Sequence, residues 1–263
     1  MGTRDTRDRQ LWVRHPDRGG CRAQGEMTLT TIVSRLVNRV RPVAQSDGMA
    51  NVSPAALLGW YARKGVFPAI RGLWYGLRFK RARFPLFVGR GVSVQYARCI
   101  EVGRGFYLGD RSRVLALSLD GIRIGDRVTI RENAWIQCAS SPYNPGQSLS
   151  IGEGTYIGPY SVIGVGGPIE IGPRCQFGAG VTLIAENHDV TEAGVSASEV
   201  TRRGISIGSG TWIGHRATVL DGVTLGSNCV VGAGAVVTKS FPDGSTLVGV
   251  PARRIDRGAT DGV

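Results

Sequence analysis

From Val88 to Ala252 the chain repeats a six-residue unit: an aliphatic residue, a glycine, two variable residues, a small residue and one more variable one. Ile151-Gly152-Glu153-Gly154-Thr155-Tyr156 leads into Ile157-Gly158-Pro159-Tyr160-Ser161-Val162, and the pattern returns in Ile207-Gly208-Ser209-Gly210-Thr211-Trp212 and Val231-Gly232-Ala233-Gly234-Ala235-Val236. Repetition at a fixed period decides an architecture before any local propensity does. A period of six suits neither the roughly 3.6-residue turn of a helix nor plain strand alternation. It suits a short strand followed by a corner, with the aliphatic residue turned inward and three such faces closing one coil. Ile151 and Ile169, like Ile207 and Leu225, lie 18 residues apart. Each is therefore expected to stack on its counterpart at about 4.8 Å.

A sandwich or barrel would place strands at irregular spacing with variable turns, which this register does not do. Glycine after the aliphatic suits a corner that needs either positive φ or close approach of two backbones. The small fifth residue (Thr155, Ser161, Cys175, Val181, Thr211, Ala217, Cys229, Ala235) is expected to fit beside the next corner.

Charge divides the chain in two. Residues 1–98 hold 18 Lys and Arg against 5 Asp and Glu, whereas residues 99–263 hold 14 against 15. The repeat region is thus near neutral. No zinc-finger, helix-turn-helix or RNA-binding signature accompanies the basic part, so nucleic acid is not an expected partner. Residues 1–50 read as a disordered basic tail, and residues 256–263 as a second tail. Residues 51–87 read as a helical segment, with Ala55 to Phe84 aromatic and basic and broken near Pro68. That segment either covers the open first coil, as terminal repeats of a solenoid must be covered, or makes peripheral contact with an anionic membrane through residues 55–84. The cap is the preferred reading. Five widely spaced cysteines, without a CxxC pair, read as buried free thiols. With no secretory signal or long apolar span, a cytoplasmic location is expected, peripheral at the inner membrane face under the second reading.

The repeat stops after Leu183 and restarts at Ile207, extruding residues 184–206. A coil gains nothing from such a loop, and extruded loops on rigid scaffolds are where function concentrates. This one carries His188. His215 falls at a corner just after Ile213-Gly214, and His15 lies in the tail. A zinc site of the carbonic-anhydrase kind on the same coil needs three histidines, and His188 with His215 falls short, so no metal is expected. A non-catalytic assembly module would leave the His188 loop without purpose.

Asn187-His188-Asp189, Gly210-Thr211-Trp212-Ile213-Gly214, Gly222-Val223-Thr224-Leu225-Gly226, the run from Val231 to Lys239 and Val248-Gly249-Val250-Pro251-Ala252-Arg253 together resemble the hexapeptide-repeat acyltransferases. The likeness is to the maltose and galactoside O-acetyltransferase branch with its capsule and colanic-acid relatives, over residues 88–255. It implies an all-β, single-stranded left-handed parallel β-helix with a short helical, basic N-terminal extension. It also implies an O-acetyltransferase that takes acetyl-CoA and a sugar-type acceptor and assembles as a homotrimer.

A sugar hydroxyl attacks a thioester slowly unless a base removes its proton, and histidine titrates near about 6.5. The resemblance makes His188 that base, with Asp189 or Glu186 orienting its ring. Direct transfer is expected, because Cys175 and Cys229 sit on the small fifth position of the repeat and offer no free nucleophile. In the same reading the His215 amide stabilises the oxyanion and Trp212 walls the site. Ala233, Thr238 and Lys239 line the pantetheine path, and Arg253 meets the nucleotide phosphates. A second basic position of the family is Asp256 here, with Arg254 or Arg257 as a substitute.

Overall fold

The computed structural model describes residues 59–60, 62–191 and 194–255. The expected tails, 1–50 and 256–263, and residues 51–58 of the expected cap lie outside the described residues. The chain winds as a left-handed parallel β-helix with three faces. The first runs from Arg81–Ala82 to Thr224–Leu225, the second from Phe87–Val88 to Thr246–Val248, and the third from Ser93–Gln95 to Val236–Val237. Strands within each face follow one another coil by coil in parallel register.

Inside, the repeat's aliphatics form unbroken columns. Ile130, Ile157, Phe177, Ile213, Val231 and Leu247 stack in register along the second face, each no more than 2% exposed. Burying such side chains is worth about 1.5–3 kcal/mol apiece. The small fifth residues are all buried. Ile207 pairs with Leu225 as expected. Ile151, however, pairs with Ile171, and Ile169 pairs with Leu149. The 18-residue spacing fails there because Val165-Gly166-Gly167-Pro168 lengthens the corner before Ile169.

Two of the three corners are near-identical from coil to coil. Each places a residue with left-handed φ two positions before the next strand: Arg127, Gly154, Arg174, Gly210 and Asn228 before the second face, and Arg111, Asn133, Tyr160, Gly180 and Arg216 before the third. The N–H of each corner residue donates to the preceding coil, as in Arg174 to Glu153 at 2.8 Å and Arg216 to Ala179 at 2.9 Å. The glycine that follows the aliphatic serves close approach. A Cβ on Gly152 would lie 2.3 Å from the Pro173 nitrogen, and one on Gly178 would lie 2.7 Å from the His215 nitrogen.

The third corner, between the third and first faces, varies. Two hairpins leave through it. One pairs Ala139–Ser141 with the start of Asn144–Ile151, and the other pairs Asn187–Thr191 with Gly194–Thr201. The second was expected as an extruded loop; the first was not expected at all.

At the N-terminal end a π-helical turn, Ala62–Val66, leads into helix α1, Phe67–Gly76, with Pro68 in its first turn, where a missing N–H is harmless. Pro68 therefore starts a helix. The helix lies on the open edge of the first coil through Pro68, Gly72 and Gly76, and a Cβ on Gly72 would collide with the Leu86 carbonyl. Two edge carbonyls are satisfied by side chains: Arg71 Nε donates to Val88 at 2.8 Å and the Tyr75 hydroxyl to Val92 at 2.7 Å. At the other end Arg253–Ile255 runs antiparallel to Thr246–Val248 and closes the second face.

Cys138, Cys175 and Cys229 are free and buried, and Cys99 is free and half-buried. Burial pushes the Cys138 thiol up to about 12. Cys21 lies outside the described residues.

Candidate active site

The variable corner carries most of the chemistry that the sequence brings together. Asn187–Thr191 holds His188 opposite Val200, and the register slips between His188 and Val190. Such a bulge re-aims side chains relative to the regular pleat. His188 is exposed. Asp189 lies in the slipped stretch, and its side chain is outside the described residues.

Glu186 stands where the hairpin leaves the coil, and its carboxylate is held by an arginine. Arg202 Nη2 donates to Glu186 Oε2 at 3.2 Å, and Arg202 Nη1 reaches the Pro145 carbonyl at 3.4 Å. Arg202 thus ties the two hairpins to each other. The pair lines a cavity of about 100 Å³ with Gln137, Asn144 and Gly166. Among the described residues, Arg202 Nε is buried there without a hydrogen-bond partner. A second clamp holds the returning strand, where Asp221 accepts from the backbone N–H of Arg203 at 3.0 Å and of Gly204 at 2.7 Å. Neither Arg202 nor Asp221 stood out in the sequence, because each acts on a segment distant from it along the chain.

Thr238 and Lys239 are exposed and follow the last strand of the third face at this same corner. Leu220 pairs with Ile184, and Val219 with Val237, so Thr238 sits two coils beyond the departure of the His188 hairpin. Two coils amount to about 10 Å. Lys239 Nζ lies over the Phe241 ring at 5.6 Å from its centroid.

The remaining expected residues sit elsewhere. Trp212 projects from the second face, 51% exposed, between Gln176 and Val230. His215 occupies the corner between the second and third faces. Its carbonyl accepts from Gly234, and its ring nitrogen Nδ1 lies 2.9 Å from where a Cβ on Gly178 would be. The His215 N–H joins no backbone hydrogen bond among the described residues. Ala233 is exposed on the next coil at that corner. Arg253 and Arg254 are exposed on the closing strand of the second face, opposite Val248 and Leu247.

The width of the third face, roughly 10 Å for a three-residue strand, therefore separates two groups within one chain. His188, Glu186, Thr238 and Lys239 form one; Trp212, His215, Ala233 and Arg253 form the other. Trp212 and Lys239 thus stand at two different corners. No cluster of three or more His, Cys, Asp or Glu suited to a metal occurs among the described residues.

Two family models match the coil. Residues 148–185 match the hexapeptide repeat of succinyl-transferase, and residues 204–239 match the bacterial transferase hexapeptide of six repeats. The galactoside O-acetyltransferase of Escherichia coli strain K12 is 33% identical over 127 residues, covering 48% of this chain and 62% of that one. A probable acetyltransferase of Mycobacterium tuberculosis is 29% identical over 190 residues, covering 68% of this chain and 54% of that one. The chain thus spans less than two thirds of the length of these relatives. Among solved structures, a mutant of the Bacillus cereus N-acyltransferase AntD, in complex with dTDP and coenzyme A, aligns with a TM-score of 0.49 at 16% identity, over 70% of this chain and 87% of that one.

Proposed function

We propose that this chain, a hexapeptide-repeat protein similar in sequence to galactoside O-acetyltransferase, moves an acetyl group from acetyl-CoA to a hydroxyl of a sugar or polysaccharide precursor. The observation that carries the reading is the hairpin clamped at the variable corner, which presents His188 from a rigid coil. His188 accepts the proton of the acceptor hydroxyl as its oxygen attacks the thioester carbon. The tetrahedral intermediate then collapses, the carbon–sulfur bond breaks, and the departing thiolate takes the proton back from the imidazolium. The His215 N–H, not engaged by the backbone among the described residues, is the donor for the oxyanion.

Glu186 is already paired with Arg202, which leaves Asp189 as the preferred group to orient His188. Thr238, Lys239 and Arg253, with Arg254 beside it, meet the pantetheine arm and phosphates of coenzyme A, since cations bind phosphate through charge-assisted hydrogen bonds. His188 and Trp212 belong to different corners, so the complete site lies between copies of the chain. His188 of one copy faces the Trp212, His215 and Ala233 wall of the next, and a homotrimer is the proposed assembly. Release of free coenzyme A from acetyl-CoA in the presence of a panel of sugars tests this. His188→Ala is expected to lose about 100-fold or more in rate; a variant that keeps most of its activity would remove His188 from the mechanism.

A further inference from the structure

Helix α1 is built in reverse for a helix with water on its outer side. Its packed face consists of Pro68, Gly72 and Gly76, while Phe67, Ile70, Leu73, Trp74 and Leu77 face outward, each more than half exposed. A surface helix ordinarily turns its large apolar side chains to the core and its polar ones to solvent. The small inner residues are explained by the first coil, whose Leu86 carbonyl leaves no room for a Cβ on Gly72. Nothing in the coil explains the outer ones. Tyr75 and Phe79 already pack against the core, so the outward residues are surplus to the cap.

Charge identifies what they face. Residues 48–100 contain nine Lys and Arg and no Asp or Glu. Arg63, Lys64 and Arg78 are exposed on this segment, Lys64 near enough to Glu132 of the coil to help lower its carboxyl, and the Arg78 guanidinium sits 4.7 Å from the Trp74 ring centroid. Lys80 and Arg83 are turned to the coil by Glu101 at 2.8 Å and Asp126 at 3.5 Å, which leaves the helix rim as the cationic part. An apolar face with an aromatic border and a rim of one sign is the pattern of a helix lying in the interface of an anionic bilayer. With ten residues the helix is about 15 Å long, too short to cross a membrane. No described helix is long and apolar enough to cross.

We propose that the outer face of α1 docks the protein on a membrane surface containing anionic phospholipid. Here the cap and the membrane-contact readings of the segment describe opposite faces of one helix. The test is flotation of the full chain with phosphatidylcholine vesicles, with and without phosphatidylglycerol. The wild type is compared with Ile70→Ser/Leu73→Ser/Leu77→Ser and with Arg63→Gln/Lys64→Gln/Arg78→Gln. Unchanged circular-dichroism melts establish that each variant folds, and the charge variant keeps the test alive if the apolar one does not fold.

The wild type is expected to float with the anionic vesicles and much less with the neutral ones. The apolar variant should lower the partition coefficient roughly hundredfold, and the charge variant by about fivefold per cation removed. Equal flotation of the apolar variant and the wild type would overturn the proposal and assign binding to residues 1–58. Failure of the wild type to float would overturn it too, and a change in sedimentation mass of the apolar variant would then identify the face as a contact between copies. Equal binding to neutral vesicles would remove the anionic lipid from it.

Discussion

At the scale of single residues, the coil rests on two kinds of corner position that the sequence shows as one. Glycine after the aliphatic has backbone of the next coil where a Cβ would go, as at Gly152 with the Pro173 nitrogen at 2.3 Å. Two positions later stands the left-handed residue, where arginine, asparagine and tyrosine are accepted alongside glycine. A Cβ on Gly234, which has φ 70°, would meet nothing within 4 Å. The two sites respond differently to alanine. Gly152→Ala is expected to lower stability by about 2–3 kcal/mol, the upper range for forced overpacking, while Gly234→Ala loses only about 1 kcal/mol for left-handed backbone. Urea unfolding of the two variants measures the difference, and equal midpoints would contradict it. The inward aliphatics and the small fifth residues were legible from spacing alone, because both depend only on the period. Which glycine served which purpose was not, because that depends on the distance between coils.

At the scale of the element, the variable corner separates what a sequence can say from what it cannot. The break at residues 184–206 was legible as an interruption of the repeat, and so was His188 as its cargo. The hairpin that pairs Ala139–Ser141 with Asn144 and Pro145 escaped notice, although Pro142, Asn144, Pro145 and Gly146 form a turn-rich cluster. Its bearing on the site comes from Arg202, which reaches across 57 positions to the Pro145 carbonyl, a contact without any local signal. Arg202 and Asp221 hold the hairpin from opposite sides, so their removal should loosen the carrier of His188 and leave the coil intact. Arg202→Met is expected to lower kcat about tenfold through misplacement of the base. The Arg202–Glu186 pair is only partly buried, with side-chain exposures of 22% and 36%, so its contribution to stability is about 1 kcal/mol or less. Steady-state kinetics beside a urea melt checks both parts, and hydrogen exchange should quicken in Asn187–Thr191. An unchanged kcat would mean that the clamp has no role in positioning.

At the scale of the whole molecule, one chain holds two incomplete groups of candidate residues on opposite sides of its third face. The proposed site joins them between two copies, and this can be read by mixing defects. His188→Ala and Trp212→Ala damage different groups. If the site lies between copies, subunits of the two variants dissociated and reassembled together should recover transferase activity that neither shows alone. A mixture no more active than the better variant would confine the site to one chain. The sequence offered the assembly only through resemblance; the separation of the two groups across the third face is what the mixing experiment puts to the test. The ends of the coil carry a further consequence. Every coil presents backbone donors and acceptors along the axis, and such an edge can recruit another copy of itself without limit. Arg71, Tyr75 and the glycine-faced helix occupy one edge, and the reversed strand Arg253–Ile255 occupies the second face at the other. These terminal elements cover edges along which a self-templating stack would grow: the helix is placed as a chain terminator is in the polymer chemist's sense.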